Sequence, residues 1–220
     1  MDPEMTAARK QELRRTLRAR RAARYGSDEG AQRRAQEAQR LLEHAAPLII
    51  AVERAAAFSR SRGAPAPLVA AYHPTPAEAD VMPLAHRLLE AGARLVFPAA
   101  AGEELDWISW DGASTFQPSP GPGFGREPQG ERLGTGALGE AMLVLTPAVA
   151  VDRSRTRIGH GAGYYDRALA TVPSSAMVVA VVHPEELLEK GALVREEHDV
   201  PIPAVLTADG LVSLVTSAGF

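Results

Sequence analysis

The spacing of hydrophobic and polar residues is helical at the start of the chain. Leu13 and Leu17 lie one helical turn apart in a polar segment, and this spacing predicts a helix over residues 6–25. A glycine and two capping residues separate it from a second predicted helix over residues 28–44. Residues 47–58 are ambiguous between a strand and a helix. The chain therefore opens with at least two helices.

From residue 68 onward, short apolar runs alternate with amphipathic and glycine-rich stretches. Strands are predicted at residues 68–72, 93–97, 105–110, 141–146, 149–151 and 176–182, the last of these as the final central strand, with one or two edge strands within 205–215. Helices are predicted at residues 76–91, 164–170 and 184–190, and loops at residues 59–67 and 112–139. A strand-helix-strand order is typical of parallel α/β folds. We therefore expect one α/β domain over residues 1–220, with a three-layer α/β/α architecture, a mostly parallel sheet and a helical N-terminal extension over residues 1–45.

Composition narrows the chemistry that is available. The chain has no cysteine, which excludes disulfides, a thiol nucleophile and thiolate metal sites. Its six histidines show no paired metal-ligand spacing, which argues against zinc. The longest apolar run, the seven residues 176–182, is far shorter than the roughly 20 residues that span a bilayer. The first residues contain no apolar signal segment, so we expect a cytoplasmic protein without a membrane partner.

The basic residues are concentrated near the N-terminus. The formal net charge is only -3, yet basic residues greatly outnumber acidic ones between Arg9 and Arg40. This face predicts either an anionic partner or a solvated surface in an arginine-rich chain. A nucleic-acid-binding accessory protein would use the same face. However, only 5% of the residues are aromatic and no stacking motif accompanies the arginines, which argues against single-strand recognition.

The segment with the clearest chemistry is residues 152–167, between a predicted strand and a predicted helix. Its alternating glycines, within residues 159–163, let the backbone approach a ligand closely, and their amides with the helix start could bind an anion. Arg157 and Arg167 could bind phosphate oxygens, and Asp166 could hold a divalent cation. A tight turn whose glycines only permit packing is the alternative.

Two common nucleotide-binding motifs do not fit this segment. The dinucleotide fingerprint requires glycine at its sixth position, where this chain has Tyr164. The P-loop requires a Gly-Lys pair, and the chain contains none. A nicotinamide-binding site and a P-loop enzyme are therefore not expected.

Residues 157–167, which read RIGHGAGYYDR, resemble the hallmark sequence of the 5-formyltetrahydrofolate cyclo-ligase family. Weaker elements of the family pattern follow the same order along the chain. They are KQELR at 10–14, YHP at 72–74 with EAD at 78–80, FGREP at 124–128, TP at 146–147 with Asp152, and EHDVP at 197–201 with VLT at 205–207. The family usually has glycine at the position of Arg155 and often has aspartate at that of Pro203, and Ala162 stands where glycine or lysine is frequent.

The resemblance implies an ATP- and magnesium-dependent enzyme that converts 5-formyltetrahydrofolate into 5,10-methenyltetrahydrofolate and releases ADP and phosphate. It implies catalytic roles for Lys10 and Arg157 and magnesium binding by Asp166 and Asp199. The implied folate-binding residues are His73, Glu78 and Tyr164. The implied ATP-binding residues are Lys10, Arg14, Arg157, Gly159, His160, Gly161, Ala162, Gly163, Tyr164 and Tyr165. A non-catalytic relative that binds folate or ATP is the alternative, and the oligomeric state stays open.

Overall fold

The computed structural model describes residues 3–120, 125–196 and 199–215. The helices are α1 (Pro3–Tyr25), α2 (Asp28–His44), α3 (Ala46–Arg62), α4 (Met82–Glu90) and α5 (Tyr164–Leu169). The strands are β1 (Leu68–Ala70), β2 (Arg94–Ala101), β3 (Glu104–Trp110), β4 (Phe116–Pro118), β5 (Arg126–Pro128), β6 (Ala141–Pro147), β7 (Ala150–Asp152), β8 (Arg157–Ile158), β9 (Met177–Val181), β10 (Leu187–Leu188), β11 (Ala204–Thr207) and β12 (Gly210–Ser213). Short 3-10 helices occupy Thr135–Glu140 and Pro184–Glu186.

A seven-stranded sheet lies at the centre, in the order β12-β11-β9-β6-β1-β2-β3. Its five inner strands run parallel, and the edge strands β3 and β12 are antiparallel to their neighbours. Val144 of β6 pairs with Ala70 on one side and with Val178 on the other. Both neighbours are apolar because a parallel strand in this position is covered on both faces. The prediction of a mostly parallel sheet is confirmed.

The two faces of this sheet bury different layers. Adjacent strand residues point to opposite faces, so Val69 packs with α2, α3 and α4, whereas Ala70 packs with α5 and the 3-10 helix at Thr135–Glu140. Val52 of α3 and Leu84 of α4, both fully buried, belong to the first layer. Leu138 and Leu169 belong to the second. The predicted three-layer α/β/α fold is therefore confirmed.

The second helix begins where its capping residue stands, whereas α1 begins at Pro3, before the predicted start at residue 6. Ser27 accepts a hydrogen bond from the backbone N–H of Gly30 and starts α2. The ambiguous segment 47–58 is helical, because its buried residues follow helical spacing along α3 and pack on the sheet. The loop prediction for 59–67 is wrong for residues 59–62, since α3 continues to Gly63, whose φ of 63° ends the helix.

Four further predictions need correction. The helix predicted over 184–190 is a 3-10 helix at Pro184–Glu186 followed by β10, which pairs with β7. The helix predicted over 76–91 begins only at Met82, because residues 74–81 are held in a non-helical loop by side chains from other elements. The predicted loop 112–139 contains the antiparallel pair β4–β5 and a 3-10 helix. β9 is not the last central strand, since β11 pairs parallel to it on its outer side. Among the described residues, no helix combines the length and hydrophobicity needed to cross a membrane.

Candidate active site

A cavity of about 340 Å3 lies beside the carboxyl ends of β1 and β6, where His73 and Pro147 line its wall. All of the residues that the family resemblance implies for binding ATP, folate or magnesium line this cavity. They are Lys10, Arg14, His73, Glu78, Arg157, Gly159, His160, Gly161, Ala162, Gly163, Tyr164, Tyr165, Asp166 and Asp199. Concave sites at strand ends are the usual ligand sites of α/β folds. The fold thus gathers segments that are distant in the chain into one site.

The glycine loop, residues 159–163, forms one wall of the cavity between β8 and α5. Gly161 has a φ of 108° and Gly163 a φ of 69°, conformations that residues with a side chain rarely adopt. A Cβ atom on Gly163 would also lie 2.8 Å from Nη1 of Arg167. The path of the loop therefore requires glycine at both positions.

The turn before the glycine loop is held by Asp152. Its Oδ1 accepts hydrogen bonds from the backbone N–H groups of Ser154 (3.0 Å) and Thr156 (3.1 Å). Arg155, in the middle of this turn, has a φ of 73°, which costs a residue with a side chain about 1–2 kcal/mol. The turn keeps its left-handed bend although this chain has arginine where the family usually has glycine.

Helix α1 lies against the glycine loop with Lys10, Arg14 and Arg18, four residues apart, on one face. Nε of Arg14 donates to the carbonyl oxygen of Gly159 at 3.0 Å, and Nη2 of Arg18 donates to that of His160 at 2.9 Å. Two successive carbonyl groups are therefore bound by α1. Sequence reasoning missed Arg18, although its spacing from Arg14 was a usable signal.

Lys10 joins α1 to the segment after β10. Its Nζ lies 2.6 Å from Oε2 of Glu196 and 2.6 Å from Oδ2 of Asp199. Lys10 is buried, and the backbone N–H of Glu196 also donates to Asp199. A buried ammonium group needs such paired carboxylates because water no longer solvates it. Glu196, which sequence reasoning missed, is therefore part of the cavity wall.

Arg157 and Asp166 form an ion pair at the cavity, with Nη2 and Oδ1 2.8 Å apart. Nη1 of Arg157 donates to the carbonyl oxygen of Pro147, and its buried Nε has no hydrogen-bond partner among the described residues. The hydroxyl group of Tyr165, over whose ring Arg157 lies, also lacks one. Buried polar atoms of this kind need a ligand or water atom as partner.

Glu78 lies on the side of the cavity that was predicted for folate. It is buried, and its Oε2 accepts a hydrogen bond from the backbone N–H of Thr75 at 2.7 Å. Its Oε1 lies 3.6 Å from Nη1 of Arg21 and 3.5 Å from Nε2 of His160. Burial lowers the pKa of His160 below its ordinary value, with a further contribution from nearby arginines such as Arg18.

The other aromatic side chains of the site have distinct surroundings. His73 packs on Phe116, and burial together with Arg126 lowers the pKa of His73. The hydroxyl group of Tyr164 donates to the carbonyl oxygen of Gly102. Arg167, which was predicted to bind phosphate, does not line the cavity. Its guanidinium group donates instead to the carbonyl oxygens of Glu103 and Ala162.

Comparison with known proteins identifies the family. Residues 6–208 match the model of the 5-formyltetrahydrofolate cyclo-ligase family. The chain belongs to this family. It is 39% identical over 154 residues to the 5-formyltetrahydrofolate cyclo-ligase of Mycolicibacterium smegmatis. The aligned residues cover 66% of this chain and 76% of that relative. It is 32% identical over 139 residues to the 5-formyltetrahydrofolate cyclo-ligase of Escherichia coli K12, and the aligned residues cover 59% of this chain and 71% of that relative.

The fold of this cyclo-ligase family member is also shared with solved structures. The NMR structure of Aquifex aeolicus 5,10-methenyltetrahydrofolate synthetase has a TM-score of 0.71 and 24% identity, covering 96% of this chain and 95% of that one. A 5,10-methenyltetrahydrofolate synthetase from Mycoplasma pneumoniae has a TM-score of 0.62 and 18% identity, and the match covers 90% of this chain and 98% of that one. The family resemblance predicted from the sequence is confirmed, and the nucleic-acid-binding alternative is not favoured.

The carboxylates predicted for magnesium do not form a preformed metal cage. Asp166 is paired with Arg157 and Asp199 with Lys10, and within the described ranges no group of three or more metal-ligating side chains occurs. Magnesium commonly takes only one or two carboxylates and draws its other ligands from phosphates and water. Two carboxylates on the wall of a cavity that also contains the glycine loop fit that manner of binding.

Proposed function

We propose that this chain is an ATP-dependent 5-formyltetrahydrofolate cyclo-ligase that forms 5,10-methenyltetrahydrofolate, ADP and phosphate. One observation carries the proposal: the cationic side chains Lys10, Arg14 and Arg157 share one cavity with His73 and Glu78. The reaction needs such a combination, because one site must bind a polyanion, ATP, next to the pterin ring of the folate. Phosphoryl transfer depends mainly on positioning and on neutralising charge.

The nucleotide would lie along the glycine loop. Arg14 and Arg18 donate hydrogen bonds to the carbonyl oxygens of Gly159 and His160. Because these two oxygens are already paired, they would repel a phosphate group bound at the loop less strongly. Arg157 supplies a guanidinium group at the cavity wall, and Lys10 supplies an ammonium group. When bound, magnesium held by Asp166 and Asp199 would neutralise charge on the phosphate oxygens.

The folate would lie on the side of Glu78, whose carboxylate can accept hydrogen bonds from the donor face of the pterin. A formamide carbonyl is a poor electrophile. Transfer of the γ-phosphoryl group to the formyl oxygen makes the formyl carbon reactive, and the neighbouring nitrogen, N10, then attacks it. N10 loses its proton, the carbon–oxygen bond breaks and phosphate leaves. The role of the chain is to hold the two substrates in contact and exclude water.

An absorbance assay tests this proposal. Purified protein mixed with 5-formyltetrahydrofolate, ATP and magnesium should develop the near-ultraviolet absorbance of the methenyl product. Omission of ATP, or chelation of magnesium, should abolish the signal. Folded protein that binds both substrates but yields no product would instead support the non-catalytic alternative.

The domain organisation and location are part of the same proposal. We propose that residues 1–220 unfold as one unit, because Leu41 of α2 shares a buried cluster with β1, β6 and β11. A single unfolding transition, coincident by circular dichroism and fluorescence, is expected. We propose a cytoplasmic location because the reaction consumes ATP. Cell fractionation should recover the activity with the cytoplasmic fraction.

A further inference from the structure

A buried polar cluster lies behind the folate side of the cavity and has no role in the reaction as described so far. It consists of Tyr25 of α1, Glu37 of α2 and His183 after β9, and we call it the His183 cluster. His183 is 1% exposed, and its ring stacks on that of Tyr25 with centroids 3.6 Å apart. The hydroxyl group of Tyr25 lies 3.1 Å from both carboxylate oxygens of Glu37.

Both ring nitrogens of His183 are occupied. Nδ1 lies 2.7 Å from Oε2 of Glu37, and Nε2 lies 3.0 Å from the carbonyl oxygen of Ala77. A carbonyl oxygen only accepts hydrogen bonds, so Nε2 carries a proton and donates it. The carboxyl group of Glu37 binds the opposite nitrogen and so sets the orientation of the ring. His183 therefore transmits the position of α2 to the backbone at Ala77.

Ala77 immediately precedes Glu78, and the same short loop is anchored to α2 a second time. Nε of Arg34 donates to the carbonyl oxygen of Glu78 at 2.5 Å, and Nη1 of Arg34 lies 3.3 Å from Oδ2 of Asp80. Arg34 and Glu37 are three residues apart and so lie on one face of α2. The loop that carries Glu78 is thus bound by His183 at Ala77 and by α2 at Glu78 and Asp80.

A second connection leads from His183 to the carboxylate itself. The backbone N–H of His183 donates to Oε2 of Glu186 at 3.0 Å, and Glu186 binds Nε of Arg21 at 2.6 Å. Arg21 in turn faces Glu78. The backbone and the side chain of Glu78 are therefore both positioned by contacts that originate at His183.

We propose that His183 is a positioning residue for the folate subsite: its Nε2–H bond to Ala77, with the ring oriented by Glu37, sets the position of Glu78. The part of this statement that concerns folate rests on the proposed function. His183 is buried and is not among the described residues that line the candidate active-site cavity, so it is not a catalytic residue. The proposal requires that loss of the bond to Ala77 affects folate binding more than nucleotide binding.

Two substitutions at the same position separate this role from simple packing. In His183→Gln the side-chain amide nitrogen is four bonds from Cα, as Nε2 of histidine is, so it can still donate to Ala77. In His183→Asn the amide nitrogen is three bonds from Cα, as Nδ1 is, so it can reach Glu37 but not Ala77. Both variants lose the stacking on Tyr25. A buried core variant elsewhere, Val52→Ala, serves as the control for general destabilisation.

The first measurement needs no substrate. Hydrogen exchange of residues 74–80 should be faster in His183→Asn than in His183→Gln, and Val52→Ala should match wild type. Faster exchange in His183→Asn than in both other variants supports the proposal. Equal exchange in the Asn and Gln variants, or equal acceleration in Val52→Ala, overturns it. If neither His183 variant folds, Glu37→Gln, which changes no side-chain volume, should accelerate exchange in the same residues, and unchanged exchange there overturns the proposal.

The second measurement compares the KM values of wild type and the variants in the methenyl absorbance assay. The KM for 5-formyltetrahydrofolate should rise about tenfold in His183→Asn, as expected for one lost buried hydrogen bond, with a change within about twofold for ATP. His183→Gln should retain a folate KM near that of wild type. Equal changes in both KM values overturn the proposal. If the wild type forms no product while the exchange pattern is as expected, the proposed function fails and the positioning role of His183 stands.

Discussion

The hydrogen bond from Arg14 to the glycine loop gives the sharpest test of how the nucleotide is bound. In Arg14→Ala, the carbonyl oxygen of Gly159 loses the Nε donor at 3.0 Å. A Cβ atom on Gly161 would lie 3.5 Å from this guanidinium group, so the side chain also closes the space beside the loop. The variant therefore removes a positive charge and a support of the loop backbone together.

The expected magnitude follows from the type of bond. A hydrogen bond to a charged group contributes about 1.5–3 kcal/mol. Because Arg14 is only partly buried, the lower end applies, which corresponds to a rise of roughly tenfold in the KM for ATP. The bond exists before any phosphoryl transfer, so kcat should fall much less than KM rises. The KM for folate should stay within about twofold of wild type.

Arg15→Ala is the matched control, since it removes the same charge from the adjacent position of α1. Arg15 is exposed and, within the described part of the chain, forms an ion pair with Glu12 across one helical turn, a contact of small energetic value. Initial rates measured by methenyl absorbance over a series of ATP concentrations compare the two variants. If Arg14→Ala has the ATP KM of wild type, or Arg15→Ala shows the same increase, the loop is not held by Arg14 in the way described.

Three further predictions concern the same cavity. Asp166→Asn should lower kcat at least about a hundredfold, because it leaves the buried Arg157 without its partner and weakens magnesium binding; kcat measured against magnesium concentration checks this. Gly161→Ala should raise the ATP KM and cost about 1–3 kcal/mol of stability in thermal unfolding, because its φ of 108° strains any side chain. Burial lowers the pKa of His73, so the unfolded chain binds more protons and stability falls as pH drops below about 6.5; the unfolding temperature of His73→Gln should decrease less than that of wild type between about pH 7 and pH 5.

Local patterns predicted the sheet and the glycine loop well. The apolar runs that became β1, β2, β6 and β9 are buried on both faces, so their hydrophobicity is continuous and easy to detect. The glycines at 161 and 163 are required by backbone conformation, which is a property of single residues. These features could be predicted because their causes lie within a few residues of chain.

Features that depend on distant partners were missed. Residues 76–81 lead into an apolar pattern that suits a helix from Met82 onward, yet Arg34 and His183 bind this segment in another conformation. The bond between His183 and Glu37 joins residues 146 positions apart and has no local signature. Arg167 is the last residue of the hallmark sequence, but it binds the carbonyl oxygen of Glu103, because β3 begins beside α5. Such pairings arise only from tertiary packing.

The ion pair between Lys10 and Asp199 joins residues 189 positions apart across the cavity. On the ribosome, a nascent chain has already exposed α1 long before the segment that holds Asp199 leaves the exit tunnel. The cavity wall can therefore close only after the segment that holds Asp199 has been synthesised. A product that ends between the glycine loop and Asp199 would lack this part of the cavity wall.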